Sequence, residues 1–175
     1  MSAAGALSTW IARAAVLMLA ALFLALALSP AGLAAGRLPM PDPVFALLFI
    51  CRLRRPEIMP LGLLIALSLV SDLIRGAPLG VGTLAMLAAA EVLLRYRDRI
   101  LRGGFGVEWL LAACLFGAQM TAQYLLLSIT FAPRPSLSAL AISAGMTILS
   151  YPCVFLVLRG MMPMRPNQTG ALGRL

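Results

Sequence analysis

The chain has no histidine and no lysine, so all fourteen of its basic residues are arginines. Without histidine there is no Ser-His or Cys-His catalytic pair and no Cys/His metal set. The three cysteines, Cys51, Cys114 and Cys153, stand singly inside apolar runs, and no CxxC pair exists. Neither a disulfide framework nor a zinc site is expected from them. They read as small apolar packing residues. No P-loop and no GxGxxG string is present. Charge is scarce too, at 11% of residues, where soluble domains carry about 25%. No cofactor, no metal and no enzymatic activity are expected.

What fills the chain instead is apolar. Hydrophobic residues make up 62%, and the mean hydropathy is +0.98. This composition specifies an all-α integral membrane protein, with almost no room for a soluble domain. The net charge of +8 sits on arginines clustered in short segments between apolar runs. That pattern answers to topology and anionic lipid headgroups, not to nucleic acid.

The stretch from Arg55 to Gly82 organises the chain. It runs Arg55-Pro56-Glu57, then apolar residues to Val70, then Ser71-Asp72-Leu73-Ile74-Arg75-Gly76-Ala77-Pro78-Leu79-Gly80-Val81-Gly82. It reads as two membrane helices joined by a tight Gly/Pro turn. A second apolar run follows, down to Glu91 and Arg95. Asp72 lies one helical turn before the corner. A carboxylate inside an apolar span costs roughly 2.5–3.5 kcal/mol at the bilayer centre, less near a helix end.

Six spans are expected, at about 10–29, 40–54, 57–75, 79–97, 107–131 and 137–158. Residues 1–159 then form one transmembrane domain and 160–175 a polar cytoplasmic tail. The second span is the weakest, since Val44 to Leu53 gives only about 15 Å of helix. Pro41-Asp42-Pro43 can open it, and Arg52, Arg54 and Arg55 close it. Around the first span a signal peptide is the rival reading, but no positive charge precedes it and its apolar core is too long.

The arginines orient the bundle. With a cytoplasmic N-terminus, the inside segments hold Arg13, Arg52, Arg54, Arg55, Arg95, Arg97, Arg99, Arg102, Arg159, Arg165 and Arg174. The outside segments hold Arg37, Arg75 and Arg134. If the second span failed to cross with the N-terminus still inside, eleven arginines would fall outside and three inside. Both termini are therefore expected in the cytoplasm.

Polar residues inside the spans are few. Glu91 and Arg95 are spaced i, i+4 and read as a local ion pair, with a proton relay as the sharper alternative. Gln119 and Gln123 share one face of the fifth span, and Ser143, Thr147 and Ser150 one face of the sixth. These faces are expected to hydrogen-bond between helices. The sharper reading makes Gln119, Gln123, Ser143 and Thr147 the lining of a ligand cavity. Tyr151-Pro152 marks a kink near the end of the sixth span. Asp72 is expected to clamp the corner. Arg75 at i+3 would shield it, and it would accept the orphan N–H groups of Val81, Gly82 or Thr83 at the start of the next helix.

Several strings carry a resemblance. They are Pro41-Asp42-Pro43 before a short second helix, Arg55-Pro56-Glu57, and Phe131-Ala132-Pro133-Arg134-Pro135. The most specific is Asp72-Leu73-Ile74-Arg75-Gly76-Ala77-Pro78-Leu79-Gly80. In these, and in length and span order, the chain resembles the rod-shape-determining protein MreD family. It departs in its Arg/Pro-marked loop between the second and third spans and in its proline-rich tail. The resemblance implies a multi-pass component of the bacterial inner membrane with a fold similar to the substrate-binding component of energy-coupling-factor transporters. It implies a scaffold that binds the transmembrane helix of MreC. Through MreC it would reach MreB filaments and the glycosyltransferase–transpeptidase pair of lateral peptidoglycan synthesis. Asp72, Arg75, Gly76, Pro78, Leu79, Gly80, Glu91 and Arg95 are the structural or partner-binding candidates. The alternative is a small-molecule-binding subunit of a vitamin-type transporter.

Overall fold

A computed structural model describes residues 3–28, 41–75, 79–129 and 136–161, with side chains from residue 7 onward. Seven helices are present among the described residues. They are α1 (Ala3–Leu28), α2 (Pro43–Arg54), α3 (Leu61–Ile74), α4 (Val81–Arg95), α5 (Arg97–Arg102), α6 (Gly104–Ile129) and α7 (Leu137–Met161). The protein is an all-α membrane protein. Leu7–Leu28 within α1, and all of α6 and α7, are long and apolar enough to cross a bilayer.

Each expected span contains a helix, but α3 and α4 are shorter than expected, only three helices among the described residues are long enough to cross, and two further differences stand out. The connector from Arg95 to Gly104 contains the short helix α5. Asp98 in its first turn and Arg99 and Arg102 in its last complement the helix dipole. The second difference concerns α2, which reads as the weakest span and is in fact the centre. Every residue from Val44 to Leu53 is buried. A helix apolar on all sides has to be covered on all sides. α1, α3, α4, α6 and α7 cover it, and each touches it.

Packing around this hub is aromatic and alanine-rich. Phe45 meets Phe116 of α6 at 4.8 Å between ring centroids, and Phe49 meets Tyr151 of α7 edge-on at 5.9 Å. Val16, Ala20 and Leu24 turn one face of α1 inward, and Ala90 and Ala112 are buried on α4 and α6. Small side chains let the helices approach closely where lipid offers no hydrophobic drive. Expectations for the 30–40 connection, the residues 76–78, the 131–135 corner and the tail lie outside the described residues.

Candidate functional site

The first polar cluster lies where α2 begins and α3 ends. Pro43 opens α2, and the Asp42 side chain caps it by accepting the Phe45 N–H at 2.9 Å. Asp42 is also the partner of Arg75, at 2.7 Å. Its own backbone N–H donates to Thr147 Oγ1 of α7 at 2.8 Å, and the Thr147 hydroxyl donates to the Ser143 carbonyl, also at 2.8 Å. One buried residue therefore ties α2, α3 and α7 together. The i, i+3 spacing predicts that Arg75 shields Asp72. Arg75 pairs instead with Asp42, because at the end of α3 its long side chain reaches a carboxylate on the neighbouring helix.

Asp72 faces α4. Its Oδ2 accepts two hydrogen bonds from Thr83, one from the backbone N–H and one from the hydroxyl, both at 3.0 Å. The backbone bond satisfies one of the orphan donors in the first turn of α4. Two glycines make the approach possible. Gly80 caps α4 with φ +89°, a left-handed conformation that other residues adopt at a cost. Gly82 lies directly against the Asp72 carboxylate, and any Cβ there would collide with Oδ1. Leu79 is exposed, and Gly76 and Pro78 lie outside the described residues.

The second cluster lies where α2 ends. Glu108 of α6 is 1% exposed. It forms an ion pair with Arg54 and accepts the Tyr151 hydroxyl at 2.7 Å. The Arg54 guanidinium also stacks over Phe155 at 4.7 Å. Arg97 donates to the carbonyls of Leu53 at 2.7 Å and Arg54 at 3.1 Å, groups that the end of α2 leaves unpaired. Arg52 donates to the Met59 carbonyl, and Arg13 of α1 to the Glu57 carbonyl, each at 2.8 Å. Here the arginines serve as backbone caps and helix ties as well as topology signals.

Glu91 and Arg95 do not form the local pair that their spacing allows. Both are exposed, and no ion pair joins them among the described residues. The cation in whose field Glu91 lies is Arg52, on α2. Of the cavity candidates, Thr147 lines a small cavity. Thr147 is buried and engaged, Gln123 is half-buried, and Gln119 is buried with its Oε1 unpartnered among the described residues. That cavity, of about 10 Å³, lies between α2, α6 and α7, lined by Phe45, Trp109, Phe116, Thr147 and Tyr151 among others. It has room for about one water molecule.

Sequence reasoning names Asp72 and Arg75 and offers the Thr83 N–H as a donor to Asp72, but it reads Tyr151 only as a kink marker and gives Glu108 and Trp109 no role. The signal for Glu108 was available, as a lone carboxylate one turn inside an apolar span. Its partners were not, because they lie 54 residues before it and 43 after it. No group of metal-ligating side chains occurs among the described residues. Both clusters can fix helix geometry. Comparison with known proteins finds no matching family model, no matching curated protein and no matching solved structure.

Proposed function

We propose that this chain is a non-enzymatic scaffold of the bacterial inner membrane, a component of the cell-elongation complex that binds the transmembrane helix of an MreC-type partner. The observation that carries the reading is the corner at Asp72. The most specific string of the resemblance, Asp72 to Gly80, coincides with a built clamp in which Asp72 holds Thr83 and Gly82 makes room for it. A rigid corner keeps the bundle in one geometry, which a scaffold must present to its partner helix. The proposed topology has six crossings, α1 to α4, α6 and α7, with both termini cytoplasmic. It is supported by the distribution of arginines.

The transporter alternative has one observation in its favour, the unpartnered Oε1 of Gln119. The cavity between α2, α6 and α7, about 10 Å³, is itself far below the several hundred Å³ of a small-molecule pocket.

Purification of the full chain from native membranes tests the proposal. Co-purification of a single-span protein with a periplasmic domain, and rounding of cells on depletion, are the expected results. A bound small molecule together with an ATPase module would overturn the scaffold reading. A periplasm-active reporter fused after Arg174 should be silent, and one near Arg37 or Arg134 active. An active C-terminal fusion would overturn the six-span topology.

A further inference from the structure

The charged groups around α2 fall in two layers. At its start, Asp42 pairs with Arg75 and lies in the field of Asp72. At its end, Arg52 lies in the field of Glu91, while Arg54 pairs with Glu108. From Asp42 to Arg52 is ten residues, about 15 Å at helical rise. The bilayer hydrocarbon is about 30 Å thick.

The helices beside α2 divide by length. α3 and α4 have 14 and 15 residues, about 21 and 22 Å. α1, α6 and α7 have 26, 26 and 25, close to 39 Å each. α3 and α4 pack on each other, with α1 beside α3 and α6 beside α4. The short helices thus form one contiguous side of the bundle, flanked by long ones.

The outer face of that side is apolar only over a short height. Leu61, Ile65, Leu69 and Leu73 are exposed on α3, and Leu84 on α4. Glu91 follows on α4, exposed and without an ion pair among the described residues, and Arg95 is exposed one turn later. Arg75 bounds the other rim. Hydrocarbon of full thickness around this face would submerge Glu91 or Arg75, and an ionised group facing lipid tails is costly. A span shorter than the hydrocarbon is accommodated by drawing the two lipid surfaces together.

We propose that the α3–α4 side is a lipid-facing surface about 20 Å tall that thins the bilayer locally, while α1, α6 and α7 hold ordinary thickness elsewhere. The inference rests on the proposed crossing of α3 and α4. Its occupant is bilayer lipid, because charged groups bound the apolar face at both rims, where headgroups and water would meet them.

Nitroxide labels on Leu79→Cys and Val92→Cys test it. Cys114 and Cys153 are replaced by alanine, and the buried Cys51 is left in place. The full chain is reconstituted in dioleoyl phosphatidylcholine, and label depth is read from relaxation by oxygen and by a water-soluble nickel chelate. Both labels are expected at headgroup depth. A label at either position that reads deep hydrocarbon overturns the thinning. Protection from both relaxants overturns it too, since protein then covers the face. An impermeant maleimide on intact cells tests the crossing separately. Labelling of Leu79→Cys supports six spans whatever the depths are, and labelling only after lysis removes the crossing on which the inference rests.

Discussion

The indole N–H of Trp109 donates to the carbonyl oxygen of Ile148 at 2.9 Å. That carbonyl is the one Pro152, four residues later in α7, leaves without its helical donor. In lipid an unpaired carbonyl has no water to turn to. α6 therefore supplies from a neighbouring helix what the proline removes. Glu108, adjacent to Trp109, holds the hydroxyl of Tyr151, adjacent to Pro152.

Trp109→Phe should lower stability by about 1–3 kcal/mol, the range for leaving a polar group unsatisfied away from water. In a Pro152→Ala background the helix provides its own N–H to Ile148. The same tryptophan substitution should then cost about 1 kcal/mol less. Thermal unfolding of the four proteins in detergent measures the coupling. Equal costs in both backgrounds would separate the tryptophan from the proline.

Glu108→Ala should be among the most damaging single changes, at about 3 kcal/mol, because it strips a largely buried arginine of its counter-charge. Tyr151→Phe removes one neutral donor from the same carboxylate and should cost about 1.5 kcal/mol. The pair Arg54→Met with Glu108→Leu should cost less than Glu108→Ala alone, since no charge is left unpaired. Chemical or thermal unfolding ranks the three.

These contacts show what the sequence could tell and what it could not. The apolar runs located the helices, three of them long enough to cross a bilayer. The reach of Asp72 across the corner followed from a short turn and a helix start with free donors. The partner of Arg75 did not follow, because spacing on one helix ranks Asp72 first while Asp42 lies 33 residues earlier. Glu91 and Arg95 show the same limit, since an i, i+4 spacing permits a pair without compelling it. Pro152 announced a free carbonyl at Ile148 and could not announce Trp109 as its donor. The central place of α2 was hidden by its length. Ten residues look too few to span, and only the arrangement of the other helices shows that they are a hub.

Asp42 makes the start of α2 sensitive to Arg75. With Arg75→Ala the buried carboxylate keeps its cap to Phe45 and loses its cation. Stability should fall by about 2–3 kcal/mol. Asp42→Asn in the Arg75→Ala background removes the charge and keeps an acceptor for Phe45, and should restore about 1 kcal/mol. Melting temperatures of the single and double variants test this, and no recovery in the double variant would count against a charge effect.

The clamp at Asp72 allows the sharpest comparison. Its Oδ2 takes both the N–H and the hydroxyl of Thr83. Asp72→Ala leaves a backbone donor unpaired where water is scarce, at about 1–3 kcal/mol. Asp72→Asn retains one acceptor oxygen and should be milder. Thr83→Val removes only the hydroxyl bond and should cost about 1 kcal/mol. Gly82→Ala attacks from the other side. Its Cβ would occupy the place of the carboxylate, which must then swing away from Thr83. Alone, it should be about as damaging as Asp72→Ala. In an Asp72→Ala background it should add little, because the group it displaces is gone and alanine is the better helix former by about 1 kcal/mol. The measurement is a double-mutant cycle on thermal stability in detergent, with retention of the co-purifying partner as the second readout. Additive losses at Asp72 and Gly82 would show that the two do not act through one contact. Unchanged stability in every variant, with equal loss of the partner, would make Asp72 a direct functional contact and reject the clamp.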